Sequence, residues 1–147
     1  MFFLKELPSR QMVDGYADQF ADVDVDRVLD ALRLMRRASL LIRELEAYFA
    51  RHDLSQLRFL MMILIDREPQ RNCLAASEIA ERLDVSRPVV TRTLQGLERA
   101  GLIAISENSE DARSRNVTLT LSGKAKLDEV LPGYFAILHR PDPAADK

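Results

Sequence analysis

At 147 residues, 47% apolar and 30% charged, the chain has the size and composition of one ordinary globular domain with a proper core. A net charge of −2 argues against indiscriminate nucleic-acid binding, and Cys73, the single cysteine, leaves no intramolecular disulfide and no zinc site of the paired-cysteine kind. His52 and His139 lack metal-ligand spacing, the longest apolar run (residues 59–65) is too short for a bilayer, and residues 1–6 lack the apolar core of a signal peptide. No metal, no cofactor, no membrane and a cytoplasmic location are therefore expected.

Residues 1–30 set Lys5, Arg10 and Arg27 against Glu6, Asp14, Asp18, Asp22, Asp24, Asp26 and Asp30, and this acidic balance should keep them away from phosphates. Residues 23–52 contain neither Pro nor Gly. Val28, Leu32, Met35, Ile42 and Phe49 form one row at helical spacing, and Leu34, Ala38, Leu41, Leu45 and Tyr48 form a second beside it, so one long helix is expected. The two rows cover more than the roughly 100° stripe a helix needs to face one core, which points either to a central helix wrapped by its own chain or to subunit association. After a break at residues 53–55, with Ser55 as N-cap, Leu57, Leu60, Met61 and Leu64 predict a second helix ending near Arg67 and Pro69.

Residues 70–76 read as a loop. Ser77 is placed to cap a short helix through Leu83, and Ser86 to cap another reaching Ala100, where Gly101 supplies a left-handed stop. Beyond it the period becomes two. Ile103 and Ile105, then Val117 and Leu119, mark two strands flanking a polar tip at residues 107–115. Thr120 or Ser122 can cap a last helix carrying Ala125, Leu127, Val130 and Leu131, in which Pro132 and Gly133 should force a kink or a break; residues 141–147 read as a frayed tail.

Helix, short turn, helix and hairpin is the order of a winged helix-turn-helix, so the fold class expected is mainly α with a small β-hairpin wing and long flanking helices. Asp84 stands where the turn usually wants Gly, and Asp tolerates the left-handed conformation that position implies. On the second helix Val90, Leu94 and Leu97 face inward, while Arg87, Thr91, Arg92 and Gln95 fall outward. Arg suits guanine or a phosphate, Gln suits adenine, and Thr a phosphate or a thymine methyl; Ser86 and the free amides of the first turn suit a phosphate. Arg113 and Arg115 lie near the hairpin tip. Taken singly each is an ordinary solvated residue, but the turn, the capped helix and the basic hairpin occur together in the right order.

The stretch "DARSRNVTLTLSG", residues 111–123, and the pattern of residues 78–103 resemble the MarR family of transcriptional regulators, and the resemblance runs from about Val25 to Leu131. It implies a homodimer on a pseudo-palindromic site in double-stranded DNA, with recognition helices in successive major grooves, Arg113 reaching into the minor groove and Asp111 orienting nearby arginines. Ala112 stands where the family often has Arg, and Glu107 and Glu110 add negative charge, which implies weaker or reorganised wing contacts. Similar proteins also carry one more dimerisation helix after the last one legible here.

The resulting division is an N-terminal segment and long dimerisation helix over residues 1–52, a DNA-binding lobe over 53–121, and a C-terminal dimerisation helix with a short tail over 122–147, forming one compact domain. Similar proteins release DNA on binding a small aromatic or phenolic effector. Met35, Tyr48, Phe59 and Met62 are the candidates to line such a cavity, with Arg36 or Arg43 pairing an anionic ligand, though by spacing each apolar one is more simply a core residue. Cys73, near Arg71, is a redox candidate, although a lone cysteine is more often a small buried hydrophobe.

Nothing in the sequence supports an enzyme: there is no phosphate-binding Gly-rich loop, no nucleophile elbow and no triad. The rival reading is a winged-helix protein-docking module, which would show aromatic or Met anchors where Arg87, Thr91, Arg92 and Gln95 stand.

Overall fold

The computed structural model of the chain describes residues 6–20, 22–68, 73–107 and 115–140. The chain divides into two units, Met1–Leu45 and Glu46–Lys147. The mainly helical fold with a small antiparallel sheet is the class expected from sequence.

In Met1–Leu45, helix α1 (Arg10–Ala17) starts at Ser9, whose hydroxyl accepts from the Met12 amide at 3.3 Å. No helix is legible there from sequence, because eight residues with Gly15 inside hold too few turns for a periodic signal. Arg10 pairs with Asp26 at 2.6 Å, linking α1 to the first turn of α2 (Val25–Ala50). Leu29 and Leu45 on α2 are buried, whereas Leu34, Met35, Leu41 and Ile42 are exposed. Part of both predicted apolar rows is thus uncovered within the chain.

In Glu46–Lys147, α2 ends in a Schellman turn. The Leu54 amide donates to the Phe49 carbonyl at 3.0 Å and the Asp53 amide to Ala50 at 3.3 Å, which puts Asp53 at φ 55° and folds Leu54 back into the core beside Phe49. Ser55 then caps α3 (Gln56–Asp66), its hydroxyl accepting from the Arg58 amide at 3.2 Å. The buried residues of α3 are Phe59, Met61, Met62 and Ile65; of the predicted stripe, Leu57, Leu60 and Leu64 are only half-buried. The helix is apolar nearly all round, so sequence spacing does not single out one face.

The predicted loop over residues 70–76 is corrected in part: Cys73–Ala75 is a strand, β1. It pairs antiparallel with β3 (Arg115–Leu119), which also pairs with β2 (Ile103–Glu107), giving the order β1-β3-β2. The sheet's inner face carries Leu74, Ile103 and Val117, all buried, with Leu74 opposite Val117. Because β1 runs to Ala75, helix α4 (Ala76–Arg82) begins there and not at Ser77. Ala75 has no side-chain acceptor, and the Glu78 carboxylate takes up its amide at 2.7 Å.

Helix α6 (Leu121–Leu138) runs on through Pro132, so of the kink or break expected there the break does not occur. Leu127, Val130 and Ile137 hold it to the core, and the buried Tyr48 hydroxyl donates to the Val130 carbonyl at 2.8 Å, two residues before the proline. No described helix is long and apolar enough to cross a membrane.

Candidate nucleic-acid interface

Helices α4 and α5 (Arg87–Arg99) are joined by residues 83–86. Leu83 is extended at φ −114°, ψ 137°, and Ser86 at φ −67°, ψ 148°. The left-handed conformation expected of Asp84 is absent: among the described residues only Asp53 and Gly101 have positive φ. Extended residues at both ends of the turn redirect the chain without it.

Ser86 occupies the N-cap of α5 as expected, but its hydroxyl makes no capping bond; its carbonyl accepts from Val90 at 3.1 Å, and Pro88 fixes the first turn. The Val89 amide also donates to the Ser86 carbonyl, at 2.9 Å, and Pro88 has no N–H, so the exposed Ser86 hydroxyl and the Arg87 amide are what this end leaves open to an outside acceptor. At the other end, the Leu102 amide donates to Leu97 at 3.0 Å and the Gly101 amide to Glu98 at 2.9 Å, with Gly101 at φ 71°: a second Schellman turn, where sequence placed the stop.

Val90, Leu94 and Leu97 are buried, and Arg87, Thr91, Arg92 and Gln95 are exposed, which is the division the spacing implies. The Thr91 hydroxyl donates to the Arg87 carbonyl at 3.1 Å and keeps its lone pairs outward. Among the described residues neither Arg87 nor Arg92 has an ion-pair or hydrogen-bond partner for its guanidinium. Such a face offers donors and positive charge with no internal use for them.

The wing is built on the β2–β3 register, in which Glu107 stands opposite Arg115, both exposed. Asp111 and Arg113 lie outside the described residues. The base of the wing explains the "LTLSG" stretch. The Thr120 hydroxyl donates to the Gly101 carbonyl at 2.6 Å and accepts from the Gly123 amide at 3.0 Å, so one side chain ties the end of α5 to the start of α6. The Thr120 amide donates to the Leu102 carbonyl at 3.1 Å, and that carbonyl occupies the space a Cβ at Gly123 would need.

Of the residues proposed for an effector cavity, Phe59 and Met62 are fully enclosed and Tyr48 nearly so. Phe49 packs tilted against Tyr48 and Phe59, with ring centroids 5.8 and 4.5 Å away. Met35 belongs to Met1–Leu45 and is 53% exposed. A surface cleft of about 290 Å³ lies elsewhere, lined by Ile65, Asp66, Leu119, Thr120, Leu121 and Lys124. Cys73 is half-buried in β1.

Two residues are missed by the spacing argument. Arg99 extends the exposed face of α5, and Arg58 of α3 lies against it at Gly96. A signal was available: glycine inside a helix costs about 1 kcal/mol against alanine, so it marks a close approach.

Residues 52–114 match the MarR family profile. The chain is 33% identical over 134 residues to the HTH-type transcriptional repressor YetL of Bacillus subtilis, covering 90% of this chain and 79% of that one. Its fold is similar to that of AbsC, a MarR family transcriptional regulator from Streptomyces coelicolor, with a TM-score of 0.72 over 80% of this chain and 78% of that one at 19% identity. A Mycobacterium tuberculosis regulator, MOSR, solved in complex with DNA, matches with a TM-score of 0.60 at 25% identity, over 74% and 76% of the two chains. With these likenesses spanning most of its length, the chain belongs to the MarR family of transcriptional regulators.

Proposed function

We propose that this protein is a sequence-specific double-stranded DNA-binding repressor that acts as a homodimer on a pseudo-palindromic operator, with α5 in the major groove and the β2–β3 wing beside it. The observation that carries the reading is the exposed face of α5, where Arg87 and Arg92 stand unpaired among the described residues beside Thr91 and Gln95. The names of its relatives agree: one is a repressor, and another was solved with DNA. Ser86, Arg113 and Arg115 are assigned to phosphate or groove contacts, and Asp111 to wing support. The second subunit is assigned to the exposed apolar side chains of Met1–Leu45, among them Leu34, Met35 and Ile42. Occupancy of a promoter by the dimer blocks polymerase.

Release by a small aromatic or phenolic effector belongs to the same reading and rests on the family resemblance. Tyr48, Phe59 and Met62 are closed and would have to part to admit a ligand.

The test is fluorescence anisotropy of the purified protein on fragments upstream of its own gene, at about 50 and 200 mM salt, with Arg87→Ala, Arg92→Ala and Arg113→Ala in parallel. Selective binding that falls steeply with salt is expected. Arg87→Ala and Arg92→Ala should each weaken cognate binding by about 1–3 kcal/mol if they read bases, and weaken all sequences alike if they hold phosphates. Equal binding of every fragment and of scrambled DNA would favour the docking-module reading.

A further inference from the structure

Gly96 is the one α5 position that is buried without a side chain of its own. It lies four residues after Arg92 and three before Arg99, so the three share one flank of the helix, and the two arginines are exposed. What covers Gly96 is Arg58 of α3. A Cβ built at residue 96 would stand 2.7 Å from Nη2 of Arg58, 3.6 Å from Cζ and 3.8 Å from Nε. The guanidinium thus rests against the α5 backbone at the point where any other residue would begin its side chain.

This placement leaves the charged head without a use inside the described residues. Arg58 is half-buried, and among the described residues its guanidinium has no carboxylate partner and donates no hydrogen bond; only its backbone amide is engaged, by Ser55. A cation that lies on the α5 backbone with no internal ion pair or hydrogen bond for its head keeps its donors available to an outside acceptor. It also stands in line with two further guanidinium groups, Arg92 and Arg99. Three like charges along one flank are unfavourable in the free protein and favourable only against an extended anion. The anion that runs alongside a helix seated in the major groove is the phosphodiester backbone.

We propose that Arg58 is a DNA phosphate contact, supplied to α5 from α3 across Gly96, so that α5 acts with a guanidinium it does not itself carry. The inference rests on the reading of α5 as the recognition helix. Arg58 sits on the flank of the helix and reaches it from another element, so it holds a phosphate and fixes orientation without reading sequence.

The experiment uses the full chain and anisotropy titrations on two duplexes of equal length, an upstream fragment and its scramble, across a salt series. Arg58→Met keeps an apolar stem over Gly96 and removes the charge. It is expected to weaken both duplexes by the same factor, on the order of tenfold, and to reduce the slope of log K against log salt by about one per half-site. Gly96→Ala, which leaves the charge in place but obliges the flexible Nη2 end of Arg58 to shift, should give a smaller loss of the same kind on both duplexes. Adding Gly96→Arg to Arg58→Met returns a guanidinium to the same stripe and should restore the slope, which a role confined to packing would not do.

Unchanged affinity and slope in folded Arg58→Met, a loss on the upstream duplex alone, or failure of the double variant to recover any slope would overturn the assignment. If Arg58→Met does not fold, Gly96→Ala and the double variant decide by the same criteria. If the unmodified protein binds neither duplex, the recognition-helix reading falls and takes the Arg58 contact with it; a loss of the Arg58 effect alone leaves that reading standing.

Discussion

Tyr48 and Gly133 form a matched pair. The tyrosine ring lies against the glycine so closely that a Cβ at residue 133 would overlap the ring and its hydroxyl, and the same hydroxyl donates to the Val130 carbonyl at 2.8 Å. Tyr48→Phe, which removes only the hydrogen bond, should cost about 0.5–1.5 kcal/mol in urea unfolding. Gly133→Ala should cost about 1–3 kcal/mol through overpacking. In the background of Tyr48→Ala most of the Gly133→Ala cost should vanish, and strictly additive losses would mean that the two residues do not share one contact. Neither partner is readable from sequence. Gly133 beside Pro132 suggests a helix breaker, and only the position of a ring from another helix, 85 residues earlier in the chain, gives the glycine its reason. The left-handed residues show the same limit. Gly101 is legible because it follows an amphipathic helix, whereas Asp53 takes that conformation, and Asp84 does not, because Leu54 must turn back onto Phe49 while Leu83 simply extends.

Strand β1 is where element-level reading from sequence fails. Cys73–Ala75 is too short for a period-2 signal, and its pairing partner lies more than forty residues later. Yet Leu74 is fully buried opposite Val117, so Leu74→Ala should lower stability by about 2–5 kcal/mol, and a loss under 1 kcal/mol in chemical unfolding would show that the strand adds little. The helices α3, α4 and α5 and the wing strands were legible because each has a cap, a stop or an alternation within its own span. The junction of α2 and α6 was not. There Glu129 accepts from Lys126 at 2.9 Å and meets His52 Nδ1 at 2.8 Å. The hydrogen bond from Lys126 first, and His52 second, hold the Glu129 carboxyl below its ordinary 4.5. A carboxylate whose folded value is depressed adds stability that is fully present above its unfolded value and lost as the pH falls through the folded one. The difference in melting temperature between the parent and Glu129→Gln should therefore be fully developed above about pH 5.5 and close as the pH falls below about 4.5. A difference that stays constant through that window would exclude the ionised carboxylate as its source.

For the molecule as a whole, charge and apolar surface are sorted along the chain. The first thirty residues are acidic, and the unit they open, Met1–Leu45, exposes Met12, Tyr16, Phe20, Leu34, Met35, Leu40, Leu41 and Ile42. The outward arginines of α5 belong to Glu46–Lys147. A chain with a net charge of −2 would attract DNA only through where its cations sit, and on α5 Arg87, Arg92 and Arg99 stand exposed together. Exposed large apolar residues in this number are uncommon on a monomer's surface and fit burial against a second copy. If they form that interface, Leu34→Glu and Ile42→Glu place charges where apolar area is buried. Each should raise the dimer dissociation constant by on the order of tenfold or more in sedimentation velocity, since every 1.4 kcal/mol is a factor of ten. The same variants leave the α5 face intact, so binding to a single half-site should persist while binding to the paired site loses its advantage. Dimerisation would then raise affinity by joining two modest contacts, the second made at the high local concentration set by the first. A variant that remains dimeric would place the interface elsewhere. One that becomes monomeric yet still prefers the paired site would separate operator recognition from dimerisation.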